Sequence, residues 1–229
     1  MQNHEGSDTA FDSAREMRAY YAARAPYYDR VYLQPERAAD LAFLQAHLAH
    51  VLAGRRVLEV ACGTGYWTQW IAPHAAAYTA TDGVAEPLAF ARLRPHCAQV
   101  RFALADAYAL GAELGEFDAA FAGLWFSHVP IERRGAFLQS LHARLAPGAR
   151  VILLDNSRVQ CRDYPLVERD ALGNTWQMRP LDDGTQRKVL KNFPEQAEMT
   201  ELLAASASHC AWRELDNFWL FEYELQKPD

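Results

Sequence analysis

The chain is poor in the features that mark a secreted, metal-binding or membrane protein. Its four cysteines, Cys62, Cys97, Cys161 and Cys210, lie far apart and form neither a C-x-x-C pair nor a His/Cys metal cluster. Reduced thiols in a cytoplasmic protein are the expectation. No apolar run approaches the length that crosses a bilayer, so no membrane is expected. The first ten residues are polar and acidic, unlike a secretory leader. Positive charge is in deficit: 23 Lys and Arg stand against 29 Asp and Glu, a net charge of −6. A general nucleic-acid binder, which presents a basic face, is therefore not expected, although a small local basic patch remains compatible. There are no internal repeats and no low-complexity segment. Oligomeric state is left open.

What remains is ample for a folded core. Half of the 229 residues are hydrophobic, and the length suits one α/β domain with some decoration. The organising stretch is Val57-Leu58-Glu59-Val60-Ala61-Cys62-Gly63-Thr64-Gly65-Tyr66-Trp67-Thr68. An apolar run with β-branched residues breaks at two glycines and passes into a helix-like pattern ending at Pro73. This reads as a buried strand, a tight turn and a helix N-terminus, where backbone N–H groups can approach a ligand closely.

Around it the chain alternates. Strands are expected at residues 56–61, 77–81, 100–105, 117–124 and 149–154, with helices at 66–72, 85–93 and 132–145. Such alternation over about 100 residues demands a parallel sheet with helices on both faces, and ligands at the carboxyl ends of its strands. Before the core, residues 1–7 are expected to be a flexible arm. Helices are expected at 9–24 and 34–52, with the tyrosine-rich Ala25–Tyr32 segment lying over a pocket or packed on the domain. After it, residues 157–172 read as irregular, and 175–181 and 185–191 as a β-hairpin turning at Asp182-Asp183-Gly184. A helix at 194–207 and two strands within 212–225 complete the chain. The domain plan is a single unit over 1–229: a helical cap (1–52), a core (53–156), an insertion (157–193) and a C-terminal helix with strands (194–229).

A lone G-x-G is a weak signal, so what accompanies it decides. A nicotinamide-type turn needs a third glycine where Thr68 stands, and a P-loop needs Gly-Lys-Ser/Thr, which is absent. Acids instead close three successive features: Glu59, Asp82 and Asp106. A carboxylate only accepts hydrogen bonds, so Asp82 suits the two hydroxyls of a ribose, and Asp106 with its neighbours the amino edge of an adenine. Each acid alone would more simply cap the following helix.

Together these residues resemble a known family. Glu59-Val60-Ala61-Cys62-Gly63-Thr64-Gly65 looks like motif I of the class I S-adenosylmethionine-dependent methyltransferases. Asp82 matches the acid ending their second strand, Ala105-Asp106-Ala107 their adenine-contacting segment, and Phe117-Asp118-Ala119-Ala120-Phe121 their fourth strand. Leu145-Ala146-Pro147-Gly148-Ala149-Arg150-Val151 is similar to the turn before their fifth, with Ala149 in place of the usual second glycine. The resemblance implies a Rossmann-like, seven-stranded, mostly parallel sheet whose last strand is antiparallel. It implies S-adenosylmethionine as cofactor and S-adenosylhomocysteine as product. Cofactor-binding roles fall on Tyr20, Tyr28, Glu59, Gly63, Thr64 and Gly65, then Trp67, Thr68, Asp82 and Gly83, and finally Asp106, Ala107 and Leu124.

His128, following the fourth strand in Trp125-Phe126-Ser127-His128-Val129-Pro130, is the candidate general base, with a structural role at the next helix start as its alternative. Tyr20, Tyr28, Trp125 and Phe126 are candidates to wall the site, and Arg158, Arg179, Arg187 and Lys191 to meet an anionic acceptor or to form a solvated face. Ala122-Gly123-Leu124-Trp125 departs from the Asn/Asp-Pro-Pro-Tyr of nucleobase amine methylation, and no Pro-Cys nucleophile is present. Asp155-Asn156 resembles the metal pair of catechol-type enzymes without their third ligand, so no metal is expected. The expected activity is methyl transfer to an O, N or S atom of a small metabolite. An RNA or protein methyltransferase and a non-catalytic cofactor-binding module are the alternatives.

Overall fold

The computed structural model describes residues 5–226. The expected N-terminal arm lies partly outside them; from Glu5 the chain is already helical, in α1 (Glu5–Arg24). A 3-10 segment, Ala25–Tyr32, follows, started by Pro26, and a second one at Pro35–Arg37 leads into α2 (Ala38–Val51). Proline at the first positions suits both, because its missing N–H is unpaired there anyway.

The core strands are β1 (Arg56–Val60), β2 (Ala77–Asp82), β3 (Arg101–Leu104), β4 (Phe117–Gly123) and β5 (Leu145–Asn156). With β9 (Ala207–Glu214) and β10 (Phe218–Leu225) they form one sheet in the order β3-β2-β1-β4-β5-β10-β9. The first five pair in parallel, and β10 runs antiparallel between β5 and β9. This is the expected seven-stranded sheet. Chain direction across it reverses between β1 and β4, and that switch point opens a crevice at their carboxyl ends.

Both faces are covered, which is why β1, β4 and β5 read as nearly unbroken apolar runs. One face packs Leu58, Ala120, Val151 and Phe221 against Phe137 and Leu141 of α5 (Arg134–His142) and Met199 of α6 (Gln196–Leu203). The other packs Val57, Phe121, Ile152 and Leu220 against Leu44 and Leu48 of α2, Ile71 of α3 (Thr68–Ile71) and Leu88 of α4 (Ala85–Ala91).

Several boundaries differ from expectation. The helix after the glycine turn is a single turn, α3, running on as a 3-10 turn at Ala72–His74 where Pro73 removes a donor. Helix α6 ends at Leu203, and β9 begins at Ala207, five residues before the first expected C-terminal strand position. As an edge strand, β9 exposes His209, Cys210 and Ala211, so the apolar pattern that marks a buried strand is missing there. The segment expected to be irregular contains β6 (Leu166–Arg169), which joins the expected hairpin, β7 (Thr175–Pro180) and β8 (Gln186–Leu190), in a small antiparallel sheet. That sheet packs against α1 through Tyr20, Leu181 and Val189, placing both over the switch point.

Candidate active site

The glycine turn is built from three positive-φ residues: Ala61 (56°), Gly63 (56°) and Gly65 (75°). A Cβ on Gly65 would meet backbone and side chain of Ala91 at 3.0 Å, so α4 packs there only against a glycine. A Cβ on Gly63 would meet nothing within 4 Å; its outer face is open, as a cradle for a ligand requires. Asp82 braces the turn from the next strand: Oδ2 accepts from the Gly63 N–H and Oδ1 from the Val84 N–H, both at 2.8 Å. Burial outweighs these bonds and pushes its carboxyl up to about 6. Asp106 is exposed on the same rim, with Oδ1 accepting from the Tyr108 N–H at 2.9 Å and its neighbour Ala107 buried.

Glu59, Trp67 and Thr68 lie beneath this rim. Glu59 is 1% exposed, and its Oε2 accepts from Thr68 Oγ1 at 2.5 Å and from the Tyr78 hydroxyl at 3.0 Å. Burial pushes its carboxyl up to about 8. Trp67 packs edge-on against Tyr32, Tyr66 and Phe121. These residues tie β1 to α3 and β2 and hold the turn from below.

The Ala25–Tyr32 segment covers the turn. Thr64 Oγ1 donates to Asp29 Oδ1 at 2.6 Å, Arg94 forms an ion pair with the other Asp29 oxygen, and Arg94 Nε donates to the Thr64 carbonyl at 2.9 Å. Tyr32 stacks on Tyr66 with ring centroids 3.5 Å apart. One residue from Asp29, Tyr28 faces a cavity, so turn and cavity are spanned by one short segment.

That cavity lies between the cap, the sheet rim and the insertion. Tyr20, Tyr21 and Arg24 line it from α1, Leu124 and His128 from the loop after β4, and Arg179, Val189 and Lys191 from the small sheet and its end. Leu124 has φ 58°, a left-handed conformation costly for a branched residue; its N–H donates to the Leu154 carbonyl at 2.7 Å and locks it there. His128 is held on both sides. Nδ1 lies 2.6 Å from the Leu190 carbonyl, which can only accept, so the proton sits on Nδ1 and Nε2 accepts from the Tyr21 hydroxyl at 2.8 Å. Burial, with Lys191 and Arg179 nearby, pushes the imidazole down to about 3, so it is neutral around pH 7.

Lys191 is buried. Its Nζ donates to Ser127 Oγ at 2.6 Å and to Asp155 Oδ1 at 2.9 Å, and this ammonium holds the Asp155 carboxyl below the usual carboxylate range. The other Asp155 oxygen accepts from the Ser127 N–H at 2.9 Å, so the acid expected to resemble a metal ligand is committed to the protein. Among the described residues no group of His, Cys, Asp and Glu side chains is arranged to hold a metal ion.

Of the expected site residues, Tyr20, Tyr28, Leu124 and His128 meet at the cavity, while Gly63, Thr64, Gly65, Asp82, Gly83, Asp106 and Ala107 follow the rim of β1, β2 and β3. Trp125 and Phe126 do not wall the cavity. Phe126 is fully buried against Phe137 and Trp219, and Trp125 packs on Tyr108 and Phe137. Arg158 and Arg187 are exposed and stand away from the cavity lining, whereas Arg179 and Lys191 enter it. Tyr21, Arg24 and Gln160 were not singled out. The signal for the first two was the one-turn spacing of Tyr20, Tyr21 and Arg24, which puts them on one helix face.

A family model for a methyltransferase domain matches residues 57–148. Over 103 residues the chain is 35% identical to a ubiquinone biosynthesis O-methyltransferase of Azotobacter vinelandii, a match covering 44% of either protein. A solved DhpI-SAH complex is 31% identical over 94% of this chain and 98% of that one, with a TM-score of 0.74. A DhpI-SAM-HEP complex is 30% identical over 99% and 100%, with a TM-score of 0.77.

Proposed function

The chain belongs to the class I S-adenosylmethionine-dependent methyltransferases, and we propose that it methylates a small-molecule acceptor seated in the cavity beside His128. The glycine turn supports the cofactor reading: the face over Gly63 is open, and Asp82 and Asp106 lie on the same rim with carboxylates that can accept from hydroxyl and amino groups. In this reading Gly63, Thr64 and Gly65 receive the amino-acid tail, Asp82 with Gly83 the ribose, Asp106 with Ala107 the adenine, and Tyr20, Tyr28 and Leu124 flank the reacting end. When bound, S-adenosylmethionine supplies an electrophilic methyl group on a sulfonium sulfur.

The protein's task is then alignment, exclusion of water and acceptance of a proton. The observation that carries the acceptor side is the Tyr21–His128–Leu190 chain. A neutral imidazole with its lone pair turned into a cavity already receives an O–H there. An acceptor hydroxyl taking the place of the Tyr21 hydroxyl hands its proton to Nε2 as its oxygen gains the methyl. This favours oxygen over nitrogen or sulfur, and the O-methyltransferase similarity supports the same choice. A cavity recessed between the cap, the sheet rim and the insertion, together with a net charge of −6, favours a metabolite over RNA or protein.

Incubation with methyl-labelled cofactor and separate metabolite, RNA and protein fractions tests the reading. Label in the metabolite fraction, stable to the mild acid and base that cleave esters and released by ether cleavage, is expected. Label confined to RNA or protein, or no transfer by a protein that binds the cofactor, defeats it.

A further inference from the structure

The cavity carries a charge imbalance that its own residues do not resolve. Its lining includes the cations Arg24, Arg179 and Lys191 and no carboxylate. Lys191 is answered by Asp155 from behind. Arg24 and Arg179 form no ion pair among the described residues. Arg179 is 7% exposed; it donates to Gln177 Oε1 at 2.6 Å, and its guanidinium lies 3.8 Å from the Tyr164 ring centroid. Arg24 Nη1 donates to the Tyr20 hydroxyl at 2.7 Å, and its guanidinium lies 5.1 Å from the centre of the Tyr28 ring. Neutral partners thus orient both heads without cancelling their charge. Gln160, 6% exposed and also on the lining, has an Oε1 with no hydrogen-bond partner among the described residues. A buried and a half-buried guanidinium side by side without a countercharge are costly to a fold unless something neutralises them.

Resting on the cavity being the acceptor site, we infer that the acceptor is a small oxyanion, bound through its carboxylate or phosphate-like group by Arg24 and Arg179 with Lys191 at the far side. Guanidinium groups suit this task, because each offers paired N–H donors to two oxygens. The same anion completes the site chemically. Lys191 and Arg179 both disfavour a proton on His128, whereas Asp155 favours one and Tyr21 is neutral. Negative charge placed between the cations offsets them, so acceptor binding makes Nε2 a better base at the moment a proton must be taken. The anion also meets the positive sulfonium of the cofactor with opposite charge.

The test is calorimetry on full-length protein saturated with S-adenosylhomocysteine. Inorganic phosphate and sodium acetate are titrated separately, with sodium chloride as the ionic-strength control. Millimolar binding of phosphate or acetate is expected, and the stronger of the two identifies the class of oxyanion. Arg179→Gln and Arg24→Gln are each expected to weaken that binding at least tenfold, with recovery of most of it in the Lys variants, which keep the charge. Affinity for S-adenosylhomocysteine is expected to stay within twofold of wild type. Because Arg24 is half-buried, its variant keeps the test open if Arg179→Gln does not fold. Three results overturn the inference: neither anion binds; both Gln variants bind it as wild type does; or those variants lose the cofactor product instead, which would assign the guanidinium groups to its carboxylate. The labelled-methyl assay stands apart from all three, so failure of the activity and failure of the anion site are separately visible.

Discussion

The Tyr21 hydroxyl donates to Nε2 of His128 at 2.8 Å, and it can do so because the Leu190 carbonyl, 2.6 Å from Nδ1, has already placed the imidazole proton on the other side. Two residues 107 positions apart thereby hold the lone pair that the proposed reaction uses.

Replacing His128 by alanine is expected to lower kcat by about 100-fold or more, the usual contribution of a positioned base. The dissociation constant for S-adenosylhomocysteine should stay within about twofold, since His128 lies apart from the glycine rim. Tyr21→Phe keeps the ring and removes only the hydroxyl. It should cost stability by about 1 kcal/mol and leave turnover much closer to wild type. The profile of kcat/KM for the acceptor, which reports the enzyme before the acceptor binds, should show no limb near the ordinary imidazole value, because burial and the nearby cations hold His128 at about 3 there. Turnover that survives His128→Ala would remove the residue from the chemistry.

Asp82 sets a second pH dependence. Burial raises its carboxyl to about 6, above the ordinary value of 3.8. For a group raised on folding, the favourable contribution to stability is complete below the ordinary value and is lost as pH rises through the folded one. The ionised form is therefore strained in the unliganded protein and is the form suited to accepting two ribose hydroxyls. Affinity for S-adenosylhomocysteine should accordingly rise as pH increases through about 6. The thermal shift on binding should grow over the same range, and Asp82→Asn should lose most of both. Isothermal titration at a series of pH values gives the answer; a flat profile in wild type would mean that Asp82 is not the ribose acceptor.

The sheet and the rim were legible because they depend on short-range signals. Glycines with positive φ, acids at strand ends and apolar runs buried on both faces leave marks within a few residues of each other, and Gly63, Gly65, Asp82 and the parallel pairing of β1 to β5 follow from them. The cavity was legible only in part. Tyr20, Tyr28, Leu124, His128, Arg179 and Lys191 were named for it, but Tyr21, Arg24 and Gln160 were not. Their meeting depends on how α1 and the small sheet dock across the switch point, a contact between segments more than 100 residues apart. Trp125 and Phe126 misled for a related reason. The loop after β4 turns at Leu124 with φ 58°, so Trp125 and Phe126 pack on Phe137 while Leu124 and His128 line the cavity. In β9 the signal itself was absent, because an edge strand leaves polar residues on its outer face.

Glu59 gives a prediction about the support beneath the rim. Its carboxyl accepts hydroxyl hydrogens from Thr68 and Tyr78, yet complete burial raises it to about 8, so it is mostly protonated at neutral pH. By the same linkage, wild-type stability should fall by up to a few kcal/mol as pH rises from about 4.5 to about 8, and level off above that. Glu59→Gln has no proton to lose. It should match wild type in urea denaturation near the ordinary carboxylate value of 4.5 and become progressively more stable than wild type as pH rises to about 8. Glu59→Ala, which removes the acceptor for two buried hydroxyls and leaves a void, should be about 3 kcal/mol less stable than Glu59→Gln at either pH. Identical pH profiles for wild type and Glu59→Gln would place the acid's titration elsewhere.

Asp29 joins the cap to the glycine turn through Thr64 and Arg94, and this contact bears on exchange of the cofactor. Thr64 is 3% exposed beneath it, while the Asp29 side chain keeps 34% of its surface in water. An interaction so placed contributes little to global stability, because solvent screens it. It can still set how long the segment stays down, since lid opening often limits product release. Asp29→Ala is therefore expected to leave the melting temperature nearly unchanged while raising the dissociation rate of S-adenosylhomocysteine about tenfold. Stopped-flow fluorescence can follow release through Trp67, which packs under Tyr32 of the same segment. If product release limits turnover, kcat rises in the variant at saturating cofactor while KM for the cofactor rises with it. A dissociation rate equal to wild type would show that the cofactor leaves without the cap having to lift, and that the Asp29–Thr64–Arg94 contact serves only to orient the turn.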